Sequence, residues 1–232
     1  REDRGLINYL MRHRHTSPFE QVSLTFHTRM PIFVARQWVR HRTAKINEIS
    51  GRYSILEDEF YVPEADQIRP QSQMNRQGRG QEPLDRETAE GIIQILEDDQ
   101  RQIYRHYEDM IGKDVARELA RINLPVSLYT EWYWKSDLHN LFHFIALRMN
   151  EHAQYEIRVY AEAMARCAKA VAPLAYEAFE EHVLGGVHFS KEELQAIRDM
   201  VGGQACEIEN KRMRREFFEK LKLEDSGAGD SS

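Results

Sequence analysis

The residues between Arg36 and Arg52 have the types and spacing best suited to chemistry. Five Lys or Arg stand there against one Glu, a local charge of +4 in a chain whose formal net charge is −6. Arg guanidinium forks match phosphate oxygens in bidentate geometry. On a helix, Arg36 and Arg40 share a face at i, i+4, with Gln37 between them as a further donor. Asn47, Glu48 and Ser50 follow in a stretch without periodicity and could grip a base or a ring edge. The same residues also read as a solvated basic helix end, favoured by the macrodipole at a C-terminus. Composition leaves both readings open.

Two further groups stand out. His139 and His143 have the i, i+4 spacing of metal ligands, with His152 beyond them, but the Glu of His-Glu-x-x-His is missing. They read as metal ligands, as surface histidines, or as hydrogen-bonding contacts to an organic ligand. Arg148 closes the apolar run Phe144 to Leu147, and a half-buried Arg needs an anion or an electronegative ring beside it. Arg121, before Ile122-Asn123-Leu124-Pro125, is a similar case. The third group is His13 to Pro18, where a helix-start Ser beside His suits either a phosphate or an ordinary cap. Cys167 and Cys206 have no patterned His partner and read as structural. There is no P-loop and no Gly-x-Gly-x-x-Gly.

The elements that must position these groups follow from periodicity. Helices are predicted over 3–14, from Pro31 to about 42, over 85–111, 113–121, from Asp137 to 147, over 151–170, 173–183, from Ser190 to 200, and over 205–222. Ser17 with Glu20 has capping-box spacing, as has Ser190 with Glu193. Strands are predicted at Val22 to Phe26, at Phe60-Tyr61-Val62, and at Leu128 to Trp134, where apolar and polar residues alternate. Residues 64–83 read as a mobile surface loop. The expected fold is α/β (α+β): one domain over 1–223, with a small, mostly antiparallel sheet packed by several long helices, and a disordered tail over 224–232. The chain opens on Arg1 with helical periodicity at once, so further residues are expected upstream.

Composition bounds the partners. The chain has 232 residues, 41% of them hydrophobic, enough for a sizeable core. Two Cys make no disulfide framework, and a reducing, cytoplasmic setting is expected. A mildly acidic chain suits neither bulk nucleic-acid binding nor, with no long apolar run, a membrane. A nucleotide- or RNA-binding module on the basic face and a metal-dependent hydrolase at the three histidines stand as rival classes.

Arg40-His41-Arg42, seven residues, then Ser50 resembles the Arg-His-Arg-x7-Ser signature of flavin-dependent thymidylate synthases. The likeness runs in order through Thr16 to Glu20, Pro31 to Trp38, Asn47 to Tyr53, Glu59 to Pro63, Ala120 to Pro125, and Leu147-Arg148 followed by His152-Ala153-Gln154. It covers about 15–160. The resemblance implies reductive methylation of dUMP to dTMP, with 5,10-methylenetetrahydrofolate as carbon donor, NADPH as reductant and FAD as hydride carrier. It implies a homotetramer with shared active sites and no enzymic Cys nucleophile. Carried over by position, dUMP would be held by Gln37, Trp38, Val39, Arg40, Glu48, Ile49, Ser50, Gly51, Arg52, Arg121 and Arg148, with Arg148 catalytic at the uracil edge. FAD would be held by His15, Ser17, Arg40, His41, Arg42, Thr43, Asn47, Glu48, Asp137, His139 and His143, and no metal is implied. Ser50 would orient dUMP. The family also carries an upstream strand and a Ser-bearing element that helps hold flavin, outside this sequence.

Overall fold

The computed structural model describes residues 2–73, 78–204 and 206–224. Within them the chain forms two compact units, divided between Glu177 and Ala178. The first begins with helix α1 (Glu2–Arg12) and the single turn α2 (Ser17–Glu20). Strand β1 (Ser23–Pro31) then leads into α3 (Ile32–Trp38) and a short strand β2 (Lys45–Glu48). The long α4 (Arg86–Gly112) and the turn α5 (Arg117–Ala120) follow. Strand β3 (Tyr129–Asp137) runs directly into α6 (Leu138–Arg148), and α7 (Tyr155–Val171) comes next. Helix α8 (Pro173–Phe179) leads to the second unit, which holds α9 (Lys191–Val201) and α10 (Lys211–Leu221).

The sheet is antiparallel throughout, in the order β1-β3-β2. Ser23 pairs with Asp137 and Pro31 with Tyr129; Lys45 pairs with Lys135 and Glu48 with Trp132. Alternation along β3 buries Thr130, Trp132, Trp134 and Ser136 on one face. Helices α3 and α6 pack there, and α7 packs against both. Trp38 lies at the centre, stacked on Phe144 (ring centroids 4.8 Å apart) and meeting Trp132 and Trp134 edge-on at 5.6 and 5.8 Å. Such pairs contribute about 0.5–1.5 kcal/mol each beyond simple burial. The second unit has its own apolar cluster, Ala196, Ile208, Phe217 and Phe218, and the predicted capping box at Ser190 and Glu193 is formed.

The α+β expectation with a small antiparallel sheet holds, and several local readings need correction. Helix α3 stops at Trp38, not Arg42, because the chain must straighten to deliver Lys45 to β3. Arg36 and Arg40 therefore do not share a helix face. Strand β2 was not anticipated: Lys-Ile-Asn-Glu has little strand propensity of its own, and pairing with β3 imposes it. At Phe60-Tyr61-Val62 there is a single bridge, Phe60 to Leu128, and Pro63 lacks the N–H to extend it. The 113–121 helix shrinks to α5 and a 3-10 turn, Arg121–Asn123, since Asp114 takes a positive φ of 60°. Thr16, not Ser17, is the N-cap of α2, and no side-chain cap bond forms. Helices α7 and α10 start four and six residues later than predicted, capped by Gln154 and Asn210. The 64–83 segment is more ordered than expected over its described part. It has a 3-10 turn at Ala65–Gln67, a buried Ile68 and a bridge from Gln71 to Arg79. The tail expected to be disordered lies, apart from Glu224, outside the described residues.

Candidate active site

The site is built where α3, the turn after it and the end of α6 meet. Asp137 caps α6 as predicted, accepting from the Asn140 amide at 2.8 Å and anchoring the helix at the end of β3. Eleven residues later the helix delivers Arg148 at its C-terminus. There Arg148 Nε donates to His41 Nε2 at 3.0 Å. His41 lies edge-on to Phe144 (4.9 Å) and 6.0 Å from the His143 ring. Burial, then the Arg148 cation, then His143 push the His41 imidazole down to about 4. It is therefore neutral near pH 7, and accepting at Nε2 places its proton on Nδ1. Burial also lowers Arg148 from the ordinary guanidinium value.

The 48–54 segment, which follows β2, is held against β3 and Arg121. Glu48 Oε1 accepts from the Thr130 hydroxyl at 2.6 Å, and the Ile49 amide donates to Glu131 O at 3.0 Å. Ser50 O accepts from the Tyr53 and Ser54 amides, each at 3.0 Å, and Ser50 Oγ accepts from the Arg52 amide at 3.3 Å. Ser50 is thus tied into a tight turn, and among the described residues no His, Asp or Glu side chain is hydrogen-bonded to its hydroxyl. Gly51 is buried under Arg121: a Cβ there would lie 3.2 Å from Arg121 Cδ and 3.0 Å from Leu56 Cδ1. Gly51 lets the Arg121 side chain cross the turn. Arg52 reaches away, its Nε donating to Glu118 at 3.0 Å.

Gln37 bonds Gln154 at the N-cap of α7. Trp38, an expected dUMP contact, has its side chain wholly buried at the centre of the core, which leaves only its backbone for a ligand in this chain. Arg36, Arg40, Arg42 and Lys45 are exposed. Among the described residues none of these four cations is ion-paired with a carboxylate. Such a cluster suits anionic oxygens from outside the chain.

Other expected contacts are spread more widely. His139 and His143 lie one turn apart on α6, and Ser17 opens α2, which packs on α6. The Thr43 carbonyl accepts from the Ser136 hydroxyl at 3.4 Å. The His15 ring lies by Tyr9, 6.1 Å away, on the exposed N-terminal segment. Asn47 pairs with Tyr133 and faces the side of the sheet opposite to Glu48, so these two do not share a surface. His152 stands beside Glu151 on the surface (3.8 Å), and no group of three or more His, Cys, Asp or Glu gathers around a metal position among the described residues. No described helix is long and apolar enough to cross a membrane. Gln154, Tyr61 and Glu156 border the site and are assigned no role from sequence; Tyr61 and Gln154 fall within segments of the family likeness, and nothing in the local spacing marks Glu156.

Comparison with known proteins decides the family. Residues 1–174 match the family model described as Thy1, thymidylate synthase complementing protein. The chain belongs to this family. A flavin-dependent thymidylate synthase of Treponema denticola is 57% identical over 222 residues, 96% of this chain and 83% of that protein. One from Rickettsia bellii is 50% identical over 232 residues, 95% and 79% of the two chains. Among solved structures, the UMP/dUMP methylase PolB from Streptomyces cacaoi bound with 5-Br dUMP superposes with a TM-score of 0.71. It is 35% identical and covers 78% of this chain and 80% of its own. The same methylase bound with 5-Br UMP gives a TM-score of 0.73. Every candidate site residue falls within the span that the Thy1 model matches.

Proposed function

We propose that this chain is a flavin-dependent thymidylate synthase, converting dUMP to dTMP by reductive methylation. One observation carries the reading: His41, the centre of Arg40-His41-Arg42-x7-Ser50, accepts a hydrogen bond from Arg148, in a chain 57% identical to an enzyme of that name. The solved neighbours hold brominated dUMP and UMP, which supports a uridine nucleotide as substrate. The carbon comes from 5,10-methylenetetrahydrofolate and the electrons from NADPH, in a cytoplasmic homotetramer with shared active sites. Residues 1–223 serve as the synthase domain.

The residues present suit FAD. The exposed cations Arg40 and Arg42, without a carboxylate partner among the described residues, match its pyrophosphate, and His139 and His143 offer two donors one turn apart on α6. His15, Ser17, His41, Thr43, Asn47, Glu48 and Asp137 complete the set. When bound, flavin supplies the hydride that finishes the methyl group. The chain's own task is binding and charge control. Gln37, Arg40, Glu48, Ile49, Ser50, Gly51, Arg52 and Arg121 hold dUMP, joined by the Val39 backbone. Arg148 is the catalytic residue at the uracil edge: its cation favours an ionised N3 and a more nucleophilic C5. His41 orients that guanidinium without cancelling its charge. The reading gives neither cysteine a part in attack on the ring; Cys167 lies mid-helix in α7, and Cys206 packs on the second unit's apolar cluster.

The test is direct. Purified protein supplied with FAD should absorb between about 350 and 500 nm, and should release tritium from 5-tritiated dUMP when given NADPH and methylenetetrahydrofolate. Arg148→Ala should abolish tritium release while the helical spectrum is unchanged. A chain that takes up no flavin and releases no tritium would end this reading.

A further inference from the structure

Glu156, near the start of α7, is 3% exposed. Its Oε1 accepts from the Tyr61 hydroxyl at 2.8 Å and from the Arg79 guanidinium, while Oε2 is buried without a partner among the described residues. Burial pushes this carboxyl up, but the Arg79 and Tyr61 hydrogen bonds outweigh it and the net direction is down, so the group is an anion. A buried carboxylate with one oxygen unsatisfied destabilises a fold. A role in stability alone is therefore a poor account of it.

What Glu156 holds leads to the nucleotide site. Arg79 belongs to the segment 65–84, where Gly80 donates to Pro70 O at 2.7 Å and Leu84 to Ile68 O at 2.9 Å, so seating Arg79 seats the described part of that segment. Tyr61 lies edge-on against Phe33 of α3 (5.5 Å), and Phe33 sits at i, i+4 from Gln37 on the same helix face. Gln154, two residues before Glu156, bonds Gln37 from the other side.

We propose that Glu156 is a positioning residue for the uridine-nucleotide site: through Arg79 and Tyr61 it seats the described residues on either side of Arg79, from Ile68 to Gln71 and from Gly78 to Leu84, and the first turn of α7 against α3, and thereby fixes the Gln37–Gln154 pair. This rests on the reading of a dUMP site at Gln37. Calorimetric titration of the FAD-loaded protein with dUMP, alongside steady-state kinetics, tests it in Glu156→Gln, Arg79→Ala and Arg79→Lys. Gln keeps the shape and an acceptor but removes the charge. Glu156→Gln and Arg79→Ala should each weaken dUMP binding about tenfold, within the range of coupling through packed networks. KM should rise while kcat stays within about twofold, the pattern of lost ground-state binding. Arg79→Lys should recover most of the affinity. If Glu156→Gln fails to fold, Arg79→Ala, at a partly exposed residue, decides the matter. Unchanged affinity in Arg79→Ala, or a loss confined to kcat, overturns the inference. A wild-type protein that does not bind dUMP overturns the proposed function instead, and this inference with it.

Discussion

Arg148 is held by a histidine where a carboxylate would be the commoner partner. A carboxylate would cancel much of its charge; a neutral imidazole orients the fork and leaves the cation for the substrate. This gives a signed pH prediction. His41 in the folded, ligand-free protein takes up a proton only near pH 4, below its ordinary value of 6.5. Between those values the unfolded chain binds the proton first, so this contribution is full above pH 6.5 and is lost as pH falls toward about 4. Denaturant unfolding across that range should show the decline, and His41→Asn should flatten it. His41→Asp should fold but lower kcat more than His41→Asn does, because it neutralises Arg148. At this scale sequence picks out residues by their own type: Arg148 and His41 are brought within one hydrogen bond, and Gly51 lies under Arg121. It says little where packing depends on what lies opposite in space. The Trp38 side chain sits inside the motif yet packs in the core, while Tyr61 and Glu156, which bond each other, stand 95 positions apart in the sequence.

Among the elements, α6 was legible because its N-cap and apolar run lie together in the sequence. Removing the cap with Asp137→Ala should cost about 1 kcal/mol of stability, read by thermal unfolding. Strand β2 was not legible, since only the exposed edge of β3 makes it extended. The turn at Ser50-Gly51 belongs between these cases: its residues signal a loop, but not that Arg121 crosses it. Gly51→Val puts branched carbon where Arg121 and Leu56 already lie within 3.3 Å of a Cβ. It should weaken dUMP binding at least about tenfold, more than Gly51→Ala, in the same calorimetric titration.

For the whole molecule, the net charge of −6 conceals four exposed cations at the candidate site, Arg36, Arg40, Arg42 and Lys45, which have no carboxylate partner among the described residues. Exposed charges are screened within about 8 Å at physiological ionic strength, so dUMP affinity should fall steadily as salt rises, and a flat salt response would count against phosphate capture there. The facing of the sheet bears on assembly. Asn47 and Glu48 point to opposite sides of the sheet, so these two expected flavin contacts do not converge on one surface of one chain. That division supports sites shared between subunits. Asn47→Ala and Arg148→Ala proteins, each impaired alone, should recover tritium release when unfolded and refolded together, and no recovery would argue for self-contained protomers.

All three tryptophans of the chain, Trp38, Trp132 and Trp134, sit in one cluster beneath His41 and Phe144. Intrinsic fluorescence is therefore a local reporter. It should emit toward the blue in the native state, transfer energy to a flavin seated nearby, and register loss of the first unit alone. The second unit contains no tryptophan and is mostly helical. Circular dichroism sees it and fluorescence does not, so a melting curve that differs between the two signals would reveal residues 178–232 coming apart on their own schedule.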